Sequence, residues 1–243
     1  TATLTNAAQS PVAVTLSNGA TIIIAAGATS ATATVAAPGD DPYVDASNVN
    51  ATITTATGGN FESLQIDPAA ASTSVTDEVD ATTVSLSATA GVVEGGSIVY
   101  TATLSNAAQA PVTVTLSSGE TIAIAAGATS GSVSILAPAD DVYIDGSTVS
   151  RTISSASGGN FESLNVDATA AATTVTDTID TTPVSLTGDA AVAAGATASY
   201  TVSLTSAAQT AVTVNLSYSG TALDGTDFSG VATVTIAAGA SSA

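Results

Sequence analysis

The sequence predicts an all-β protein of tandem antiparallel two-layer sandwiches. Three observations carry this. Short β-branched runs recur between Gly, Asn, Asp and Pro turn signals, several runs alternate at period two, and the whole pattern returns after 100 residues without insertion. No stretch offers a helix of ordinary length, because Ala-rich pieces such as Ile124-Ala125-Ala126-Gly127 run straight into Gly.

The repeat is legible residue by residue. Thr3-Leu4-Thr5-Asn6-Ala7-Ala8-Gln9 returns as Thr103-Leu104-Ser105-Asn106-Ala107-Ala108-Gln109, and Gly58-Gly59-Asn60-Phe61-Glu62-Ser63-Leu64 as Gly158-Gly159-Asn160-Phe161-Glu162-Ser163-Leu164. A diverged third copy shows in Leu204-Thr205-Ser206-Ala207-Ala208-Gln209. The period is too long for a solenoid coil and suits one domain per copy. The expected domains are 1–80, lacking a first strand, then 81–180, complete, then 181–243, diverged and cut within the copy.

Within the complete copy, strands are expected at 83–86, 98–104, 112–116, 121–124, 132–136, 149–153, 164–166 and 173–175. In Val112-Thr113-Val114-Thr115-Leu116 the alternation turns Val and Leu inward and Thr to water. Seven or eight strands in about 100 residues is the count of an immunoglobulin-like sandwich. Tyr100 and Tyr200 fall in strand patterns, as core or rim residues.

Composition excludes several functions. The 243 residues carry 20 acids, the single base Arg151, and no His, Cys, Met or Trp, for a net charge of −19. Binding to nucleic acid or an anionic membrane needs Lys and Arg, so neither is expected as a partner. Without Cys and His there are no disulfides, thiolate sites, zinc sites or catalytic triads. No apolar run reaches the ~18 residues of a membrane span. A chain without Met is expected to be a processed product or a piece of something longer. The core residues are small, with 3 Phe and 5 Tyr, which suits thin two-layer domains.

The acids return at fixed phases of the repeat. Asp40, Asp41 and Asp45 are echoed by Asp140, Asp141 and Asp145; Asp77 and Asp80 are echoed by Asp177 and Asp180; and Glu94 opens the complete copy. Calcium takes 6–8 oxygens from carboxylates and carbonyls on irregular backbone, which short acidic loops meeting at one end of a sandwich supply. The alternative is that Asp serves here as a turn residue on solvated loops. Glu62 and Glu162, beside Phe61 and Phe161, read as turn caps rather than ligands.

Val93-Glu94-Gly95-Gly96, Pro138-Ala139-Asp140-Asp141-Val142-Tyr143-Ile144-Asp145 and Thr174-Val175-Thr176-Asp177 resemble the three acidic stations of Calx-beta domains. Gly220-Thr221-Ala222-Leu223-Asp224-Gly225-Thr226-Asp227 is similar to a further Calx-beta loop, in which the resemblance makes Asp227 a ligand. The complete copy has Ser117-Ser118-Gly119-Glu120 in place of that loop, and Ala194 stands where copy two has Glu94. The copies as a whole resemble the extender repeats of giant type I-secreted RTX adhesins.

That resemblance implies an extracellular, calcium-rigidified structural segment at a bacterial surface, serving attachment and biofilm formation. Its partners would be neighbouring repeats of the same or identical chains, with a surface or glycan ligand elsewhere in the protein. The other readings are a filament, sheath or surface-layer subunit assembled by strand exchange, and a glycan-binding repeat. No enzymatic role is expected.

Overall fold

The computed structural model describes residues 1–45 and 47–243. It is all-β, and no helix is present among the described residues. Copy one contributes β1 (Ala2–Thr3), β2 (Val12–Leu16), β3 (Thr21–Ile24), β4 (Ser30–Ala31), β5 (Ser47–Ala51), β6 (Ile53–Gly58) and β7 (Ala71–Val75). Copy two follows with β8 (Ala81–Ala88), β9 (Gly91–Val93), β10 (Ser97–Leu104), β11 (Val112–Leu116), β12 (Thr121–Ile124), β13 (Ser130–Leu136), β14 (Ser147–Arg151), β15 (Ile153–Gly158), β16 (Ser163–Val166) and β17 (Ala171–Thr176). Copy three supplies β18 (Val184–Gly188), β19 (Tyr200–Leu204), β20 (Val212–Asn215) and β21 (Thr233–Ile236).

Copy two forms sheets of order β13-β10-β8-β16, β12-β11-β15 and β14-β17-β9. Most pairings are antiparallel, while β16 with β8 and β17 with β9 run parallel. The expected run 149–153 divides: β14 pairs with β17, and β15 pairs with β11. The chain changes sheets between Arg151 and Ile153. The short β9 lacks a period-two run of its own, and the sequence gives no sign of it.

The chain divides into two compact units. The first comprises Thr1–Ser85, Ala102–Gly131 and Ile153–Thr169. Its core alternates as the sequence dictates: Val112, Val114 and Leu116 are buried, with Ile122 and Ile124 on the paired strand and Val12, Val14, Ile22 and Ile24 in the equivalent places of copy one. Both copies shift register at the same point, between Thr15 and Leu16 and between Thr115 and Leu116. Copy one also carries a cavity of about 1060 Å³ whose lining includes Leu4, Val14, Leu16, Ile22, Ile53 and Leu64.

The second unit comprises Leu86–Thr101, Ser132–Thr152 and Ala170–Ala243. Here Ile98, Tyr100 and Val175 are fully buried, and Thr173 buries its hydroxyl by donating to the Thr89 carbonyl. Tyr100 is thus a core residue, whereas Tyr200 is half exposed and meets Tyr218 edge-on.

Candidate metal centre

The sheet β14-β17-β9 sets the site. Strands β9 and β17 are parallel and in register, Val93 opposite Thr176, so the residues that follow them, Glu94 and Asp177, leave the sheet at the same end. Strand β14 is antiparallel to β17, with Ser147 opposite Val175, so Asp145 and Gly146 enter at that end. Three acids far apart in sequence therefore meet because of strand direction alone. The turn after β9 is held by Glu94 N–H donating to Thr176 O at 3.1 Å and by Gly95 N–H donating to Pro138 O at 2.6 Å. Gly95 sits at φ 66°, a conformation open to glycine, and its α-carbon faces Asp140.

Carboxylate oxygens of Glu94, Asp145 and Asp177 all lie within 4.8 Å of one another. Glu94 is only 6% exposed, Asp177 is half-buried and Asp145 is exposed. Oε2 of Glu94 and Oδ1 of Asp177 are buried and find no hydrogen-bond partner among the described residues. Acceptor oxygens gathered with no donor between them are costly unless a proton or a cation is shared. The Glu94 pKa is accordingly pushed up to about 7, first by its contact with the Asp145 carboxyl, then by burial, then by the charges of Asp145, Asp177 and Asp140. The donor set is all oxygen, which suits a hard divalent ion such as calcium and not a soft metal. The triad is able to hold a metal ion, with the remaining coordination positions left to carbonyls and water.

The other acids are placed differently. Asp140 is exposed beside the triad, and its Oδ1 accepts from the Thr178 hydroxyl. Asp41 and Asp141 each accept the N–H two residues on, from Tyr43 at 2.9 Å and Tyr143 at 2.7 Å, closing the turn before the tyrosine. In copy one Asp77 accepts from Asp45 N–H at 3.3 Å, and Asp40, Asp45 and Asp77 line one hollow. The Asp45 pKa is raised, chiefly by loss of water and then by Asp41 and Asp77. Asp180 is exposed, and Asp227 accepts from Leu223 N–H at 2.8 Å within its own loop.

Asp80 leads to a residue whose surroundings the sequence did not reveal. Its N–H donates to Oε2 of Glu162. That bond lowers the Glu162 pKa, but burial and the nearby Asp77 and Asp80 carboxylates outweigh it, so the net shift is upward. Glu162 therefore does not cap its own turn, the role its sequence suggests: the hydrogen bond that its carboxylate accepts reaches across the junction of copies one and two, and its Oε1 finds no partner among the described residues.

The same junction, which lies wholly within the first unit, is tied by Tyr43. Its ring stacks on Phe161 with centroids 5.7 Å apart, and its hydroxyl donates to Ala107 O at 2.6 Å. Val44 N–H donates to Asn160 O and Glu162 N–H to Pro42 O, both at 3.2 Å, so the segments join as an antiparallel bridge. In the second unit Tyr143 repeats the hydroxyl bond, to Ala207 O at 2.7 Å. The return of Tyr43 as Tyr143 and of Phe61 as Phe161 was the available signal.

The family model of the LapA domain matches residues 1–78 and again residues 80–178, well over half of the chain. No curated protein and no solved structure matches it.

Proposed function

The chain belongs to the LapA domain family, repeats that take their name from a large biofilm adhesin, and on that premise we propose that it is a calcium-stiffened extender segment of a bacterial surface adhesin. The observation that carries this reading is the triad Glu94, Asp145 and Asp177, with two buried oxygens left without a donor. In this reading calcium supplies the missing charge, and the turn after β9 stiffens because its glutamate is held. Asp140 adds a fourth carboxylate on rearrangement of its bond from Thr178. The copies act as immunoglobulin-like, Calx-beta-like domains with boundaries near Asp80 and Asp180. Their partners are neighbouring repeats, and their role is to span distance at the cell surface while adhesion proper lies elsewhere in the protein.

The test is thermal melting and small-angle scattering of the whole chain, calcium-free and at millimolar calcium. A cation bound only by the folded form stabilises by about 2.7 kcal/mol at a hundredfold excess over Kd. No change in either quantity would remove calcium from the reading.

A second reading, a subunit completed by a strand from another chain, draws on the copy-one cavity and its apolar lining. Sedimentation of the chain over a hundredfold concentration range tests it, and a monomer throughout would dismiss it.

A further inference from the structure

We propose that the surface formed by Ala7 and Asn60-Phe61-Glu62 is a docking site for the Asp-Asp-x-Tyr loop of another repeat of this kind. This rests on the reading of the chain as a stretch of an array, and is independent of calcium.

The first two copies carry the same surface, once covered and once open. In copy two it is occupied, since the Tyr43 loop lies across Ala107 and Asn160-Phe161-Glu162. Phe161 is 9% exposed there, and Ala107 and Glu162 are half-buried. In copy one Phe61 is more open, and Ala7 and Glu62 are exposed. The Asn60 carbonyl and the Glu62 N–H, which correspond to the bridging groups of copy two, have no backbone partner among the described residues.

The unfilled surface nevertheless has the shape of the filled one. A Cβ on Gly59 would strike the Phe61 ring and Val12, just as one on Gly159 would strike the Phe161 ring and Val112. Asn60 and Asn160 share the left-handed conformation, at φ 57° and 61°, and each donates its amide to a glutamine, Gln9 at 2.7 Å and Gln109 at 2.8 Å. Gln9 and Gln109 each donate their N–H to the glycine carbonyl, both at 3.1 Å. The ring is therefore seated by its own copy and needs no tyrosine to place it. A preformed site loses little freedom on binding, and a loop tethered in the same chain reaches it at high effective concentration.

The covered copy also defines the occupant. It must bring a hydroxyl to the Ala7 carbonyl, a flat ring to Phe61 and an extended backbone to Asn60 and Glu62. The acidic turn that presents the tyrosine is built identically in both copies that contain it, through Asp41 and Asp141.

The test uses fluorine spectroscopy, because the chain has only 3 Phe. The protein is labelled with para-fluorophenylalanine and measured in water and deuterium oxide, calcium-free throughout. In the chain as it stands, the Phe61 line should show a larger solvent shift than the Phe161 line. Residues 1–100 are then placed once more ahead of residue 1, which keeps the repeat in register. The Phe61 shift should fall to the Phe161 value, and Tyr43→Ala in the added repeat should restore it. A Phe61 line unchanged by the added repeat overturns the proposal. A second measurement does not depend on the added repeat folding: Tyr43→Ala in the present chain should raise the Phe161 shift to that of Phe61. If Phe161 stays protected, the loop is not what covers it, and the proposal also fails. Because no calcium is present, neither failure touches the metal reading.

Discussion

Glu94 and Asp145 hold their carboxyl groups against one another at one end of the β14-β17-β9 sheet, although they lie far apart in the sequence. Their contact is the largest cause of the raised Glu94 pKa. It makes the folded protein ask for either a proton or a cation, and the first two predictions follow from that competition.

Without calcium, stability should fall as pH rises. The folded pKa of Glu94 is about 7, against about 4.3 for an unperturbed glutamate. Between these values the folded state keeps a proton that the unfolded state has lost, so the stabilisation is complete below the lower value and gone above the upper. Calcium competes with that proton, so its effect should grow over the same window. Calcium-free protein should melt higher at pH 5 than at pH 8, and the increment given by calcium should be larger at pH 8. Equal melting temperatures at the two pH values without calcium would contradict the pairing.

Glu94→Gln should separate repulsion from ligation. It removes one of the crowded charges and keeps the shape, so calcium-free protein should melt at the same temperature or higher at pH 8. It also removes a charged ligand, so calcium affinity should weaken by on the order of tenfold or more. Titration calorimetry on the variant and on Asp177→Asn gives the comparison. Undiminished binding in both would place the ion elsewhere.

Asp141 should matter to the turn rather than to the ion. Its Oδ1 accepts from Tyr143 N–H. Asp141→Asn keeps that acceptor and should be close to neutral in stability and calcium affinity. Asp141→Ala should cost about 1 kcal/mol through the lost bond. Chemical denaturation measures the difference, and a large loss of calcium binding in Asp141→Asn would restore it to the ligand set.

Gly159→Ala should be among the more damaging single changes. Gly159 is at φ 86°, and a Cβ there meets the Phe161 ring and Val112 Cγ2. Strained backbone and overpacking together should cost about 2–4 kcal/mol. Denaturant unfolding gives the value, and a change below about 0.5 kcal/mol would show that the ring moves aside freely.

Copy one should open before copy two. Its cavity of about 1060 Å³ leaves Leu16 and Ile53 less covered than Leu116 and Ile153. Amide exchange follows local opening, so protection in β2 and β3 should be lower than in β11 and β12. Equal protection in the two hairpins would mean that the cavity costs the fold nothing.

Local patterns alone set the all-β class, the hundred-residue repeat and the inward face of β11, where Val112, Val114 and Leu116 are buried. These depend on side-chain alternation and turn residues, which are local: 112–116 and 121–124 match β11 and β12 to the residue. Strand direction, in contrast, is a property of pairing. The parallel run of β9 with β17, the antiparallel entry of β14 and the change of sheet near residue 152 could not be read from periodicity. Those pairings bring Glu94, Asp145 and Asp177 together, while Asp141, in the same acidic run as Asp145, turns to its own backbone. Repetition marked which acids and aromatics recur. The tertiary structure decided which of them meet, because a carboxylate's partners depend on where strands end, and a tyrosine's on which repeat lies beneath it.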